Sequence, residues 1–274
     1  MDARAQFEVD FGKVVAEGIG EAPPKLREAI SYALFPGGSR WRPLLVLHVA
    51  KACGATDGAR ATASACAIEM MHAASLVHDD LPCFDAATTR RGKPTVHQKS
   101  GEGAAVLVGD ALIVMAFDVL ARAGALSEIA ELARASGPMR GLIAGQAWEL
   151  EAQVNLEAYH RAKTGALFEA AATMGAMAAG AAHAEWVPFG EALGLAYQAA
   201  DDLADVRTDG RSGKTGGRDA AFGRPSAVAL LGLDGAERRV AVYMERAQSL
   251  IPKSADASCL EGWMRDLERK LSRI

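Results

Sequence analysis

GARATASACAIEMMHAASLVHDDLPCFD, residues 58–85, is the stretch whose reading decides the fold. From Gly58 to Leu81, Ile68, Met71, Ser75 and His78 recur along one face at helical spacing, and Pro82 stands where that helix must stop. Three carboxylates close the segment: Asp79, Asp80 and Asp85. A long alanine-rich helix ending in clustered acid is the first element, and the rest of the chain repeats its helical character.

Upstream, Pro23-Pro24 opens a short helix that stops at Pro36-Gly37-Gly38, and a second runs from Arg42-Pro43 to Gly54. Downstream, Ala86–Gly101 reads as a loop. Helices follow at about 103–123, 126–135, 139–153, 156–181 and 186–206. A glycine-rich, charged loop spans 207–223, and two or three helices finish the chain. No repeat, linker or candidate strand pair is visible. Alanine, leucine and glycine dominate and β-branched runs are short, so the expectation is a single all-α domain over residues 1–274.

Half of the residues are hydrophobic (50%) and the formal net charge is −4, with no basic block, so nucleic acid is not an expected partner. Cys53, Cys66, Cys83 and Cys259 lack metal-type spacing and read as free thiols in a reducing compartment. The N-terminus has neither an apolar core nor a cleavage signature. The most apolar stretches, 104–126 and 165–184, are interrupted by Asp110 and Asp118 and by Glu169. They are rich in small residues, which predicts buried helices rather than membrane spans and a soluble, cytoplasmic protein.

A second acidic cluster, Asp201-Asp202…Asp205, mirrors the first. Asp201 and Asp205 are four apart and share a helix face, with Tyr197 and Gln198 one turn earlier. One Asp-Asp pair is ordinarily a solvated helix end or a cap. Two such clusters ending apolar helices call for a counter-charge, and Mg²⁺ characteristically takes one or two carboxylates together with substrate phosphates. Arg90, Arg91 and Lys93 follow the first cluster; Arg207, Arg211, Lys214, Arg218 and Arg224 follow the second. Acids for metal beside cations for phosphate oxygens point to a diphosphate.

These motifs, in order, resemble those of the trans-isoprenyl diphosphate synthases (polyprenyl synthetases), and most closely the bacterial carotenoid-pathway geranylgeranyl diphosphate synthases. The resemblance runs from Pro36-Gly37-Gly38-Ser39-Arg40-Trp41-Arg42-Pro43 to about Leu231. It is carried by His78-Asp79-Asp80-Leu81-Pro82, Arg90-Arg91-Gly92-Lys93-Pro94-Thr95, Lys163-Thr164-Gly165-Ala166-Leu167-Phe168 and Tyr197-Gln198-Ala199-Ala200-Asp201-Asp202. It implies the isoprenoid-synthase helical bundle around a central cavity, usually as a homodimer. It implies Mg²⁺, three per site, on Asp79, Asp85, Asp201 and Asp205, with Asp80 and Asp202 supporting. Arg90, Lys163, Lys214 and Gln198 would meet the allylic diphosphate; Arg42, His72 and Arg91 would meet isopentenyl diphosphate. Thr164 would help the developing cation. Gln146 and Glu149 resemble a Gln-plus-acid pattern in which the acid is usually Asp, while Asp110 reads as structural.

Two positions depart from the family. Ser39 stands where a lysine usually grips isopentenyl diphosphate, so Arg40 or Arg42 would have to compensate. Ala86-Ala87-Thr88-Thr89 stands where relatives carry further acids. Ala74, five before Asp79, with Ser75 beside it, replaces the bulky aromatic of farnesyl-producing relatives. A C20 product is therefore expected, with C15 the fallback. Competing readings are a weakly active or non-catalytic partner subunit of a heteromeric synthase, a class I terpene cyclase, and a dinuclear-metal hydrolase. The dispersed histidines weigh against the last.

Overall fold

A computed structural model describes residues 2–56, 58–152, 154–207 and 226–272. The chain opens with a helix that has no counterpart among those expected from the sequence, α1 (Ala3–Gly18). Asp2 caps it through a bond from the Arg4 amide, and Phe7, Phe11 and Val15, each four apart, bury its inner face. α2 (Pro24–Leu34) and α3 (Trp41–Ala52) follow as expected. α4 (Gly58–Asp79) is the central helix, buried along most of its length and packed against α3 and the later α6 and α10.

The segment after Asp85 is not all loop. Thr89–Arg90 (β1) pairs antiparallel with Lys93–Pro94 (β2), correcting the expectation of no strand pair. The Arg91-Gly92 turn between them holds both residues at positive φ (53° and 74°), the twist that suits a two-residue hairpin. α5 (Val96–Ser100), α6 (Glu102–Arg122) and α7 (Leu126–Ser136) come next.

The expected helix over 139–153 is broken instead into α8 (Leu142–Ala147) and a 3₁₀ turn (Trp148–Leu150). Gly141 sets the late start of α8: a Cβ there would lie 2.5 Å from Ala135 O, so the chain passes close against the end of α7 before the helix begins. The expected helix over 156–181 is likewise divided. α9 (Leu156–His160) passes through a π turn (Arg161–Gly165) into α10 (Ala166–Ala178), which is almost wholly buried, as its small residues predicted. α11 (Val187–Arg207), α12 (Ala227–Ser249) and α13 (Ser258–Leu271) complete the bundle. One continuous apolar core draws residues from α1 through α13.

α6 differs from α10. Ala105, Val108, Leu112, Ala116 and Leu120 face the core, but Leu107 and Val114 are 57% and 67% exposed. Among the described residues α6 is the one helix long and apolar enough to cross a membrane, and it lies with one face against α4.

Candidate active site

A cleft of about 430 Å³ opens beside the C-terminal ends of α4 and α11. Ten of the residues singled out from the sequence line it: Arg42, His72, Ser75, Asp79, Arg90, Arg91, Lys163, Thr164, Gln198 and Asp201. α4 delivers His72, Ser75 and Asp79 on one face at spacings of three and four.

Asp79 is 8% exposed, and burial pushes its carboxyl above the usual range, with neighbouring Asp85 and Glu149 adding to the rise. Gln146 Nε2 donates to Asp79 Oδ1 at 2.8 Å and so ties α8 to the end of α4. Asp85 returns beside Asp79 because its amide donates to Asp79 O at 2.9 Å. Asp80 turns away: Arg90 grips it with two 2.7 Å bonds, a bidentate fork that holds the hairpin on the end of α4.

The π turn aims Lys163 and Thr164. Its extra residue shifts both side chains relative to a straight helix, a distortion common at functional sites. Lys163 bonds Glu149 of the 3₁₀ turn, whose carboxylate also accepts from Tyr159 Oη at 2.5 Å. Burial opposes the charge of Lys163, yet Tyr159, Asp79 and Glu149 hold its pKa above the ordinary lysine value. Thr164 Oγ1 donates to Gln198 Oε1 across the place where Gly165 and Gly194 let the π turn and α11 touch. A Cβ on Gly194 would come 2.5 Å from Gly165 Cα.

The second cluster divides its work. Asp201 lines the cleft. Asp202 is buried beneath it, accepting from Gln198 Nε2 at 2.8 Å and from the Ala227 amide, the first of α12, at 2.6 Å. Asp205 is half-buried one turn on. Lys214, with Arg211, Arg218 and Arg224, lies outside the described residues.

On the opposite wall, Arg42 lies 4.5 Å from the Phe168 ring centroid and 5.3 Å from that of Tyr197. It is 7% exposed, burial lowers its pKa, and its Nε is without a partner. Arg42 Nη1 lies 3.5 Å from His72 Nε2, and burial with the surrounding arginines keeps that imidazole neutral, far below its ordinary value. Arg40 cannot supply the charge that Ser39 lacks. It is 3% exposed, bound to Glu8 at 3.0 and 3.1 Å, to Leu34 O at 2.9 Å and to Glu69, and set among the rings of Phe7, Phe11 and Phe35. Ala74 is 1% exposed inside the core and does not line the cleft, whereas Ser75 beside it does. Asp110 meets His78 at 3.8 Å on the α6 surface.

Residues that the sequence did not single out also line the cleft: Arg4 from α1, Tyr159 and Leu142. Tyr159 could not be read because its partner, Glu149, sits across an unpredicted helix break. Among the described residues no three acidic, histidine or cysteine side chains converge into a ready-made metal cage. Of the four carboxylates expected to hold metal, Asp79 and Asp201 line the cleft, while Asp85 and Asp205 are not among its lining residues. A hard cation sharing its shell with substrate phosphates fits such a set, and the raised Asp79 carboxyl is where positive charge is wanted.

The chain matches the Polyprenyl synthetase family model over residues 23–255. It is 47% identical over 274 residues to the geranylgeranyl diphosphate synthase of Cereibacter sphaeroides, covering 97% of this chain and 95% of that protein. It is 40% identical over 246 residues to the farnesyl diphosphate synthase of Geobacillus stearothermophilus, covering 83% and 82%. Its fold is similar to that of an FPP/GFPP synthase from Zymomonas mobilis, with a TM-score of 0.80, 30% identity and 97% of each chain covered. A geranyltranstransferase from Thermotoga maritima superposes with a TM-score of 0.81 at 27% identity, covering 98% of this chain and 100% of that one. Fold and cleft thus define a prenyltransferase, an all-helical enzyme acting on isoprenyl diphosphates. The chain belongs to the polyprenyl synthetase family, whose members generally depend on a metal.

Proposed function

We propose that residues 1–274 form one catalytic domain that joins isopentenyl diphosphate head to tail to an allylic diphosphate, releasing pyrophosphate. Geranylgeranyl diphosphate (C20) is the proposed product and farnesyl diphosphate (C15) the shorter alternative. The observation that carries this reading is the placement of Asp79 and Asp201, from the ends of two different helices, on one cleft with Arg42, Arg90, Arg91 and Lys163.

In this reading Asp79, Asp85, Asp201 and Asp205 would hold Mg²⁺, three ions per site, whose charge makes the diphosphate a competent leaving group. Lys163 and Arg90 take the leaving oxygens, so the allylic C–O bond breaks without building unbalanced charge. Arg42, Arg91 and His72 hold the second diphosphate so that its double bond faces the allylic carbon. Thr164 Oγ1, fixed by Gln198, presents an oxygen lone pair to the cation. As the new C–C bond forms, the proton lost from the isopentenyl unit passes to the departing pyrophosphate. Leu76, Leu142 and Leu167 keep that space poor in water, which would otherwise quench the cation.

A homodimer in the cytoplasm is part of the proposal; the exposed apolar face of α6 supports the pairing, since covering it removes Leu107 and Val114 from water. The test is turnover of isopentenyl diphosphate with C5, C10 and C15 starters, with and without Mg²⁺, reading product length. Metal-dependent C20 formation is expected. Hydrocarbon formation without isopentenyl diphosphate, or binding without turnover, would overturn it.

A further inference from the structure

Three guanidinium groups meet at Gly38-Ser39. Arg4 Nη2 donates to Gly38 O at 3.0 Å. Arg91 lies against the other side of the same glycine, where a Cβ would stand 2.5 Å from its Nη2. Arg42 completes the wall with its buried, unpartnered Nε. All three line the cleft beside Ser39, and among the described residues none has a carboxylate within ion-pair distance, unlike Arg40, Arg90 and Lys163. Glu69 acts on Arg42 and Arg91, and Asp201 on Arg42, but Glu69 is already paired with Arg40, so the three like charges are left under-compensated and an anion in the cleft is what would balance them.

Arg4 is placed against the interest of its own helix. It is the second residue of α1, where the unsatisfied amides already give positive potential and a cation is disfavoured. Arg4 is exposed and is not part of the buried Phe7, Phe11 and Val15 face. Arg91 likewise keeps a positive φ of 53°, unusual for a residue with a side chain, in the conformation that lays it against Gly38.

We propose that Arg4 is a substrate-binding residue, the third guanidinium of the isopentenyl diphosphate subsite, supplying from the N-terminal helix the charge that Ser39 does not. The inference rests on the prenyl-transfer reading above. It adds that the second diphosphate, once bound, bridges α1, α3 and the β1–β2 turn.

The test is steady-state kinetics on the full chain with Arg4→Ala, Arg4→Lys, and Arg4→Ala combined with Ser39→Lys. Loss of one charge-assisted contact corresponds to roughly a 10- to 100-fold rise in KM for isopentenyl diphosphate in Arg4→Ala. The KM for the allylic substrate and the thermal midpoint should stay within error. Arg4→Lys should keep most of the affinity, and Ser39→Lys should restore it in the Arg4→Ala background. An unchanged KM in Arg4→Ala, equal rises for both substrates, or a fall in thermal midpoint would each overturn the role of Arg4. Absence of isopentenyl-dependent turnover in the unaltered protein would instead overturn the reading on which it rests.

Discussion

Gln146 Nε2 and Asp79 Oδ1 stand 2.8 Å apart, and this bond joins the short α8 to the last residue of α4. A buried carboxylate whose pKa is already raised by desolvation depends on every donor it has. Removing Gln146 as Ala should cost about 1.5–3 kcal/mol at that acid, since hydrogen bonds to charged groups fall in this range. The expected outcome is a fall of about tenfold or more in kcat with a higher Mg²⁺ requirement, and little change in KM for isopentenyl diphosphate, measured by metal titration of the rate.

Asp201 and Asp202, adjacent in sequence, should separate in experiment. Asp202 caps α12 and orients Gln198, so Asp202→Ala is expected to lower the denaturation midpoint, with a loss of about 1–3 kcal/mol for the unmade bonds. Asp201→Ala removes a carboxylate that lines the cleft and should abolish most turnover with little change in midpoint. Urea melts paired with activity assays distinguish the two.

Arg40 is a structural cation. Arg40→Met leaves Glu69 buried without its partner, and breaking such a pair costs about 3–5 kcal/mol. A large drop in urea midpoint is expected, partly recovered when Glu69→Leu is added. Recovery in the double variant would be read from the same melts.

Chain length should respond at the α4 face. Ser75 lines the cleft while Ala74 is packed behind it, so Ser75→Phe should shift the product from C20 toward C15. Ala74→Phe must displace its neighbours to reach the same space, at a cost of about 1–3 kcal/mol, and should shorten the product less. Chromatography of the dephosphorylated alcohols gives the ratio. No change in either variant would remove the floor of the cavity from this part of α4.

Acid should destabilise the fold through its buried histidines. Burial, with arginines nearby, holds His72 far below its ordinary 6.5, and burial with Arg239 and Lys163 takes His160 down to about 3. Between these values and 6.5 the unfolded chain binds protons that the folded chain refuses. Stability is therefore complete above pH 6.5 and falls as pH drops, by up to about 1.4 kcal/mol per pH unit for each group. His160→Gln should flatten the acid limb of the stability curve measured by urea denaturation from pH 7 to 4.

Much of the site was legible in the chain itself. Helical spacing along residues 68–79 was legible, but the face read from it, Ile68, Met71, Ser75 and His78, shares only Ser75 with the cleft, where the fold presents His72, Ser75 and Asp79 instead. The two acidic clusters stood out because like charges rarely gather at the ends of apolar helices without a cation to meet. α1 also left a signal, the Phe7, Phe11 and Val15 repeat behind Asp2, although a short amphipathic helix at a terminus is easily passed over.

What the sequence determined, then, was local: which residues share a helix face, where prolines and glycines stop a helix, and which charges cluster. Partnership was decided by the tertiary structure, because it depends on how distant segments approach. Only the folded chain gives Asp202 to the first amide of α12 and Asp80 to Arg90, and buries Arg40 between Glu8 and Glu69. The close approach at Gly141 that delays α8 and the π turn belong to the same level, being set by how segments pack. Arg4 and Ser39 are thirty-five residues apart in the chain, and only the seating of α1 on the bundle brings them to the same wall.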